Sequence, residues 1–192
     1  MELVCKVCVT VVNFQLNRRV TLHKALNGFR AVRVVVTSTL EAKLAQQLAG
    51  IAHKPLFQVL LDMHKTYNPL YRGWSMDIFR GYGVGQNTAR IIAHHWGSLL
   101  FVLKASRFLG IALGTGRGVM QGDPTSPMIF NIVMDEVVRA VLEVVCGPHE
   151  VRHGMGWAAG EWNLFFYLDD GKIVGRDHIW VNYTLTVALE MF

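Results

Sequence analysis

Apolar positions dominate residues 3–16, with a few polar interruptions, a pattern compatible with helix or strand. From Arg18 to Val36 the chain turns from basic to β-branched, with Arg30, Arg33 and then Val34-Val35-Val36, and reads as a loop or strand pair. Ser38 stands three residues before Glu41, the spacing of a capping box. Leu40, Leu44 and Leu48 follow at helical spacing and Gly50 is a stop, so a helix is predicted over 39–49. Leu56-Phe57-Gln58-Val59-Leu60-Leu61, after Pro55, reads as a short buried strand that Asp62 ends. Gly81-Tyr82-Gly83-Val84-Gly85 has no strand before it and no Lys-Ser/Thr after it, so it reads as a turn between helices rather than a phosphate loop. Ser126-Pro127 opens another helix, Ser as N-cap and Pro as first helical residue. Ile129, Ile132, Val133, Val137, Val141 and Val144-Val145 mark its apolar positions, and Gly147-Pro148 stops it. Asn163 to Leu168 and Lys172 to Val174 read as strands about a turn at Asp169-Asp170-Gly171. Helices then cover strand faces, which makes the class α/β or α+β.

Composition narrows the function classes. The 192 residues suit one domain, or one and a small lobe. Hydrophobic residues make up 52% and charged residues 17%, against a typical ~25% charged, which excludes a disordered tail. A net charge of +5 permits a polyanionic partner without demanding one. Three cysteines exclude a disulfide framework. Cys5 and Cys8 form a single C-x-x-C with no second pair to complete a zinc site, so they read as buried thiols on an apolar segment in a reducing compartment. No apolar run reaches the ~18 residues of a membrane span, and Met1-Glu2-Leu3-Val4 lacks the basic start of a signal peptide. The expectation is an intracellular protein, cytoplasmic or nuclear, with no membrane partner.

Candidate chemistry rests on three carboxylates. Asp62 ends an apolar strand, and Asp169 and Asp170 lie between two others. Charged groups beside a core need a partner or a metal, and carboxylate oxygens are the donors that Mg²⁺ prefers. The plain alternative for Asp-Asp-Gly is a hairpin turn. Gly116 to Pro127 is a Gly-rich loop running into a capped helix, of a kind that lets a flat ligand approach the backbone. His94-His95-Trp96 reads as surface or interface rather than a metal site, since adjacent helical residues point apart. Trp157 and Trp162 read as packing residues.

In this order, the segments resemble the reverse transcriptase domain of non-LTR retrotransposons, with group II intron enzymes as more distant relatives. Gly28-Phe29-Arg30-Ala31-Val32-Arg33 is similar to the family's basic "GFR" segment. Phe57 to Tyr67, with Asp62, resembles the first catalytic-aspartate motif. Residues 117–127 match "RGVxQGDPxSP", continued by residues 130–136, and Phe166 to Asp170 matches the "YxDD" box. The resemblance runs from roughly residue 3 to 190. It implies an α+β fold: a polymerase palm over 56–192, a small antiparallel sheet backed by helices, with partial fingers over 1–55 and no thumb. It implies an RNA-directed DNA polymerase core that transfers a nucleotide from a dNTP to a primer 3′-hydroxyl. Asp62, Asp169 and Asp170 would hold two Mg²⁺ ions, or Mn²⁺, with the Met63 carbonyl as a further ligand. Tyr67 would lie under the incoming sugar, Gln121 and Gly122 would line the nucleotide pocket, and Arg30 and Arg33 would neutralise triphosphate charge. The implied partners are an RNA template with a DNA primer, a dNTP, and further retroelement domains or chains.

Departures from the family define the alternative. Asn68 stands where the first motif usually has an acid, and Val32 and Val34-Val35-Val36 replace small residues after "GFR". Both ends fall inside the family's pattern. The alternative reading is thus a truncated, catalytically inactive remnant with at most weak nucleic-acid binding. An RNA-dependent RNA polymerase is disfavoured because Leu168 stands where that family usually has Gly.

Overall fold

A computed structural model describes residues 3–23, 25, 26, 28, 35–63, 67, 68, 70–105, 108–114, 116–120, 122–146, 162–167 and 170–191. In chain order the described elements are α1 (Leu3–Arg19), α2 (Val35–Ile51), β1 (Phe57–Asp62), α3 (Arg72–Gly81), α4 (Gln86–Gly97), β2 (Leu100–Ala105), β3 (Phe108–Gly114), α5 (Ser126–Cys146), β4 (Trp162–Tyr167), β5 (Asp170–Gly175) and α6 (His178–Met191). They fall into two compact units: Met1–Val20 with Lys65–Phe130, and Thr21–His64 with Asn131–Phe192. The fold is α+β.

The second unit is organised by a three-stranded antiparallel sheet in the order β1-β5-β4. Its middle strand carries the core: Ile173 and Val174 are fully buried. Side chains alternate faces along a strand, so Ile173 and Gly171 share one face and Val174, Lys172 and Asp170 the other. On the first face the Phe166 ring lies so close over Gly171 that a Cβ there would sit 2.5 Å from Phe166 Cε1 and 3.1 Å from Leu61 Cβ. On the second face Ala45 of α2 and Leu56 pack with Val174. Helix α6 lies against β1 and β5 and buries Val181, Thr184, Val187 and Ala188. The 131–146 part of α5 is apolar around much of its girth, as a buried helix must be. Its two buried polar side chains both act on residues 23–28. Asn131 Nδ2 donates to the Gly28 carbonyl at 2.6 Å, and Asp135 accepts from the His23 N–H. Asp135 also accepts from Arg139 Nε at 2.6 Å, a cation that offsets its buried charge. Leu26 then bridges in parallel to Phe166, whose N–H donates to the Ala25 carbonyl at 2.7 Å.

The first unit is held by polar side chains that tie loops to helices. Gly83, at φ +71°, makes the turn between α3 and α4 that follows the Tyr82 cap, and Phe79 meets Trp96 across it at 6.2 Å between ring centroids. Arg72, buried at the start of α3, donates from Nε to the Gly118 carbonyl at 2.8 Å and from Nη1 to the Trp96 carbonyl at 2.9 Å. Desolvation by burial pushes its pKa below the ordinary arginine value. Gly118, at φ +79°, donates to the Leu70 carbonyl at 2.7 Å, and a Cβ there would meet the Asn68 carbonyl oxygen at 2.9 Å. His95 Nε2 lies 2.6 Å from the Asp123 carboxylate, both side chains buried. The other oxygen of Asp123 accepts from the Thr125 N–H and hydroxyl, each at 2.8 Å. Strands β2 and β3 form a separate two-stranded sheet with a register shift between Val102 and Lys104.

Several sequence expectations are corrected. Of the two alternatives open for residues 3–16, the helix is the one adopted, within α1. Val35 and Val36 open α2 rather than a strand, and the Ser38/Glu41 pair falls inside that helix instead of at its cap. Leu40, Leu44 and Leu48 are exposed, while Ala42, Ala45 and Ala49 are buried, because small side chains let the helix approach the sheet at Val174. The β1 strand is only partly buried, with Leu60 75% exposed on the face that carries Asp62. Ser126 is already helical; its hydroxyl donates to the Met120 carbonyl at 2.7 Å, and the Thr125 carbonyl accepts the Ile129 N–H. Asp170 and Gly171 belong to β5, not to the turn. Cys8 is exposed and His95 is buried. The turn at 81–85 lies between helices, as the sequence implies. Trp157, Gly147 and Pro148 lie outside the described residues.

Three variants check this framework. Gly171→Ala forces a methyl into the Phe166 ring and should destabilise the fold by about 1–3 kcal/mol in urea unfolding. Gly50→Ala, on helix α2 with open space around the position, should instead be neutral or stabilise by about 0.5–1 kcal/mol. Asp123→Ala strands His95 and the Thr125 donors; a loss of about 3 kcal/mol is expected, together with faster hydrogen exchange at the Thr125 amide.

Candidate active site

Asp62 is the last residue of β1 and Asp170 the first of β5. Because the strands run antiparallel, the end of one lies beside the start of the other, and the register pairs Asp62 directly with Asp170. Directly opposed residues hold their Cβ atoms about 4.5–5.5 Å apart. Both residues are exposed. They share the sheet face that α2 covers at its Val174 end, so the carboxylates stand where that face reaches water. Two like charges directly opposed are destabilising by themselves. The two side chains offer only oxygen donors, the donor type that hard cations take. On the other face, the lack of a side chain at Gly171 lets the Phe166 ring close under the carboxylates.

The remaining predicted residues divide as follows. Asp169, Arg30, Arg33 and Gln121 lie outside the described residues. Met63 is half-buried and directly follows Asp62, in the second unit. Tyr67 and Gly122 belong to the first unit. The Tyr67 ring is tilted by 50° against Phe130 at 5.2 Å, and its carbonyl accepts the Val119 N–H at 3.0 Å, which ties it to the Gly-rich loop. Gly122 is exposed at φ +85°, with nothing within 4 Å of where a Cβ would stand. The structure thus brings Asp62 to Asp170, and Tyr67 to the loop that leads to Gly122. Among the described residues no group of three or more His, Cys, Asp or Glu could hold a metal ion. No helix among them is long and apolar enough to cross a membrane.

Sequence reasoning missed the residues that hold this loop. His95 is three residues beyond Ile92 and six beyond Ala89, all on the buried side of α4. That spacing was the available signal for a buried histidine in need of a partner, which Asp123 provides. Arg72 carried no such signal, since its partners are backbone carbonyls distant in sequence.

No family model matches the chain. It is similar to curated retrotransposon proteins: 30% identical over 130 residues to the Pol polyprotein of the R2DM element of Drosophila melanogaster, covering 68% of this chain. It is 23% identical over 189 residues, 93% of this chain, to that of the R2 element of Popillia japonica. The chain spans 12% and 24% of the length of those two polyproteins. Among solved structures, apo telomerase from Candida tropicalis superposes with a TM-score of 0.62 at 12% identity, over 95% of this chain and 36% of that one. Telomerase from Candida albicans, in complex with a fragment of telomeric RNA, does so with a TM-score of 0.51 at 15% identity, over 97% and 32%. With its sequence similar to R2 Pol polyproteins and its fold like that of telomerase, the chain is a reverse transcriptase-like domain.

Proposed function

We propose that this domain is the catalytic core of an RNA-directed DNA polymerase, extending a DNA primer on an RNA template with dNTPs. The observation that carries the reading is the direct cross-strand pairing of Asp62 with Asp170 at the open end of the sheet. Fingers would run through residue 55 and the palm from residue 56.

In this reading Asp62, Asp170 and Asp169 hold two Mg²⁺ ions, for which Mn²⁺ substitutes, with the Met63 carbonyl as a further oxygen donor. The donor set is all oxygen and anionic, as such ions require. When bound, the metals supply charge neutralisation to the primer hydroxyl and the departing pyrophosphate. The protein's own part is positioning. Tyr67, braced by Phe130, supports the sugar of the incoming nucleotide. Gln121 and Gly122 line its pocket, and the open side of Gly122 leaves backbone accessible to a ligand. Arg30 and Arg33 meet the triphosphate through guanidinium forks.

Two measurements on the full chain test this. Millimolar Mn²⁺ should raise the melting temperature by relieving the opposed carboxylates, and Asp62→Asn or Asp170→Asn should remove most of the rise. Primer extension on an RNA template should fall by about 100-fold or more in Asp62→Asn. An equal thermal shift in both variants, or extension by Asp62→Asn at the unaltered rate, contradicts the shared-site reading. Metal binding with no extension by the unaltered chain supports the inactive-remnant alternative instead.

A further inference from the structure

We propose that Thr21 is a phosphoacceptor site for a protein kinase that recognises basic residues, and that phosphate there loosens the end of α1. The inference stands on the segment from Arg18 to His23 and does not rest on the polymerase reading.

Arg18 and Arg19 close α1, and the Val20 N–H makes the last bond of that helix, to the Leu16 carbonyl at 2.9 Å. The chain then runs through Thr21, Leu22 and His23 without helix or strand. Thr21 is exposed, and neither its hydroxyl nor its backbone makes a hydrogen bond among the described residues. A segment lies extended in a kinase cleft, and free backbone donors and acceptors suit that geometry. Leu22 is buried and has to swing out for it. That is a local opening of the kind that segments with few hydrogen bonds undergo at low cost. The His23 N–H, held by Asp135, bounds the stretch that opens.

Charge selects the enzyme. Arg18 and Arg19 stand three and two residues before Thr21, and the apolar Leu22 directly follows it. Two guanidiniums so placed can form charge-assisted forks with the carboxylates of an acidic cleft while the hydroxyl meets the phosphoryl group. Both are exposed, and neither meets a carboxylate among the described residues; Arg18 lies over the Phe14 ring, 5.5 Å from its centroid. No Asp or Glu occurs between Glu2 and Glu41 to repel such a cleft. No other Ser or Thr of the chain has a Lys or Arg at both positions. Ser75 has Arg72 three residues before it, but Ser75 is fully buried and Arg72 donates to two carbonyls. The reaction moves the γ-phosphoryl of ATP, the kinase's co-substrate, onto Thr21 Oγ1. The bond from that phosphorus to the ADP oxygen breaks, and the hydroxyl proton goes to the kinase's general base. The product carries about −1.5 to −2 charge at pH 7. Beside the negative end of the α1 dipole that charge is unfavourable, and it draws Arg18 and Arg19 from the helix end that they complement.

The test is incubation of the full chain with magnesium-ATP and the catalytic subunit of cyclic-AMP-dependent protein kinase, well below the melting temperature of the chain. Mass spectrometry should find one phosphate per chain, on Thr21. Thr21→Ser should accept phosphate at the same position and Thr21→Val should not. Arg18→Ala and Arg19→Ala should each slow the reaction by about tenfold or more, with thermal melts showing both variants folded. Hydrogen exchange on the phosphorylated chain should be faster at the Val20 amide and unchanged at the Phe166 amide, which is bonded to the Ala25 carbonyl. The proposal is overturned if no phosphate appears on Thr21, or if the chain lacking both arginines reacts at the unaltered rate. Phosphate taken up only by heat-unfolded chain overturns it too, since the site is then closed in the fold. So does an unchanged exchange rate at Val20 in the phosphorylated chain.

Discussion

Two carboxylates of like charge stand opposite each other because a buried strand leaves them no choice. Strand β5 runs through the middle of its sheet with Ile173 and Val174 fully buried. A slip of one residue would turn every side chain to the wrong face: Ile173 and Val174 would exchange environments, and Asp170 would face Phe166. The Phe166 ring over Gly171 closes that alternative sterically. The packing of apolar side chains thus imposes an electrostatic repulsion that the carboxylates alone would avoid. The same residues that stabilise the sheet set two carboxylates side by side at its end.

The first unit solves a different problem. Its Gly-rich loop bends twice through left-handed glycines, Gly118 and Gly122, and has little apolar surface with which to hold itself. Buried polar groups do that work. Arg72 takes the Gly118 and Trp96 carbonyls, and His95 meets the Asp123 carboxylate, which in turn orients Thr125 at the start of α5. Buried backbone polar groups must be paired, and here long side chains from neighbouring helices pair them. In the second unit Asn131 and Asp135 do the same for the chain that runs from His23 to Gly28.

What the sequence made legible follows from the range of each interaction. The strand ending at Asp62, the strands on either side of residues 168 and 169, and the long helix that begins at Ser126 depend on local apolar pattern, and they stand where that pattern put them. The face of α2 was not legible. Its leucines form the better hydrophobic stripe, yet its alanines are buried, because the distance between helix and sheet decides which side chains fit, and that distance is a tertiary property. Gly171 looked like a turn residue; its smallness is required by a ring five residues earlier that reaches back across the strand pair. The pairing of Asp62 with Asp170 was suggested by resemblance to a family, and no rule of spacing over so long a separation could have supplied it.

The β2–β3 hairpin carries a consequence of another kind. Phe108, Leu109, Ile111 and Leu113 are each more than half exposed, and Lys104 is the one charge among its described residues. Among the described residues it is a sheet of two strands, each with a partner on one side and none on the other. Open edges with apolar faces are templates for strand addition by neighbouring molecules. In concentrated solution this hairpin is therefore a colloidal weak point, and a second lysine at Ile111 would act as a gatekeeper, improving solubility without entering either unit's core.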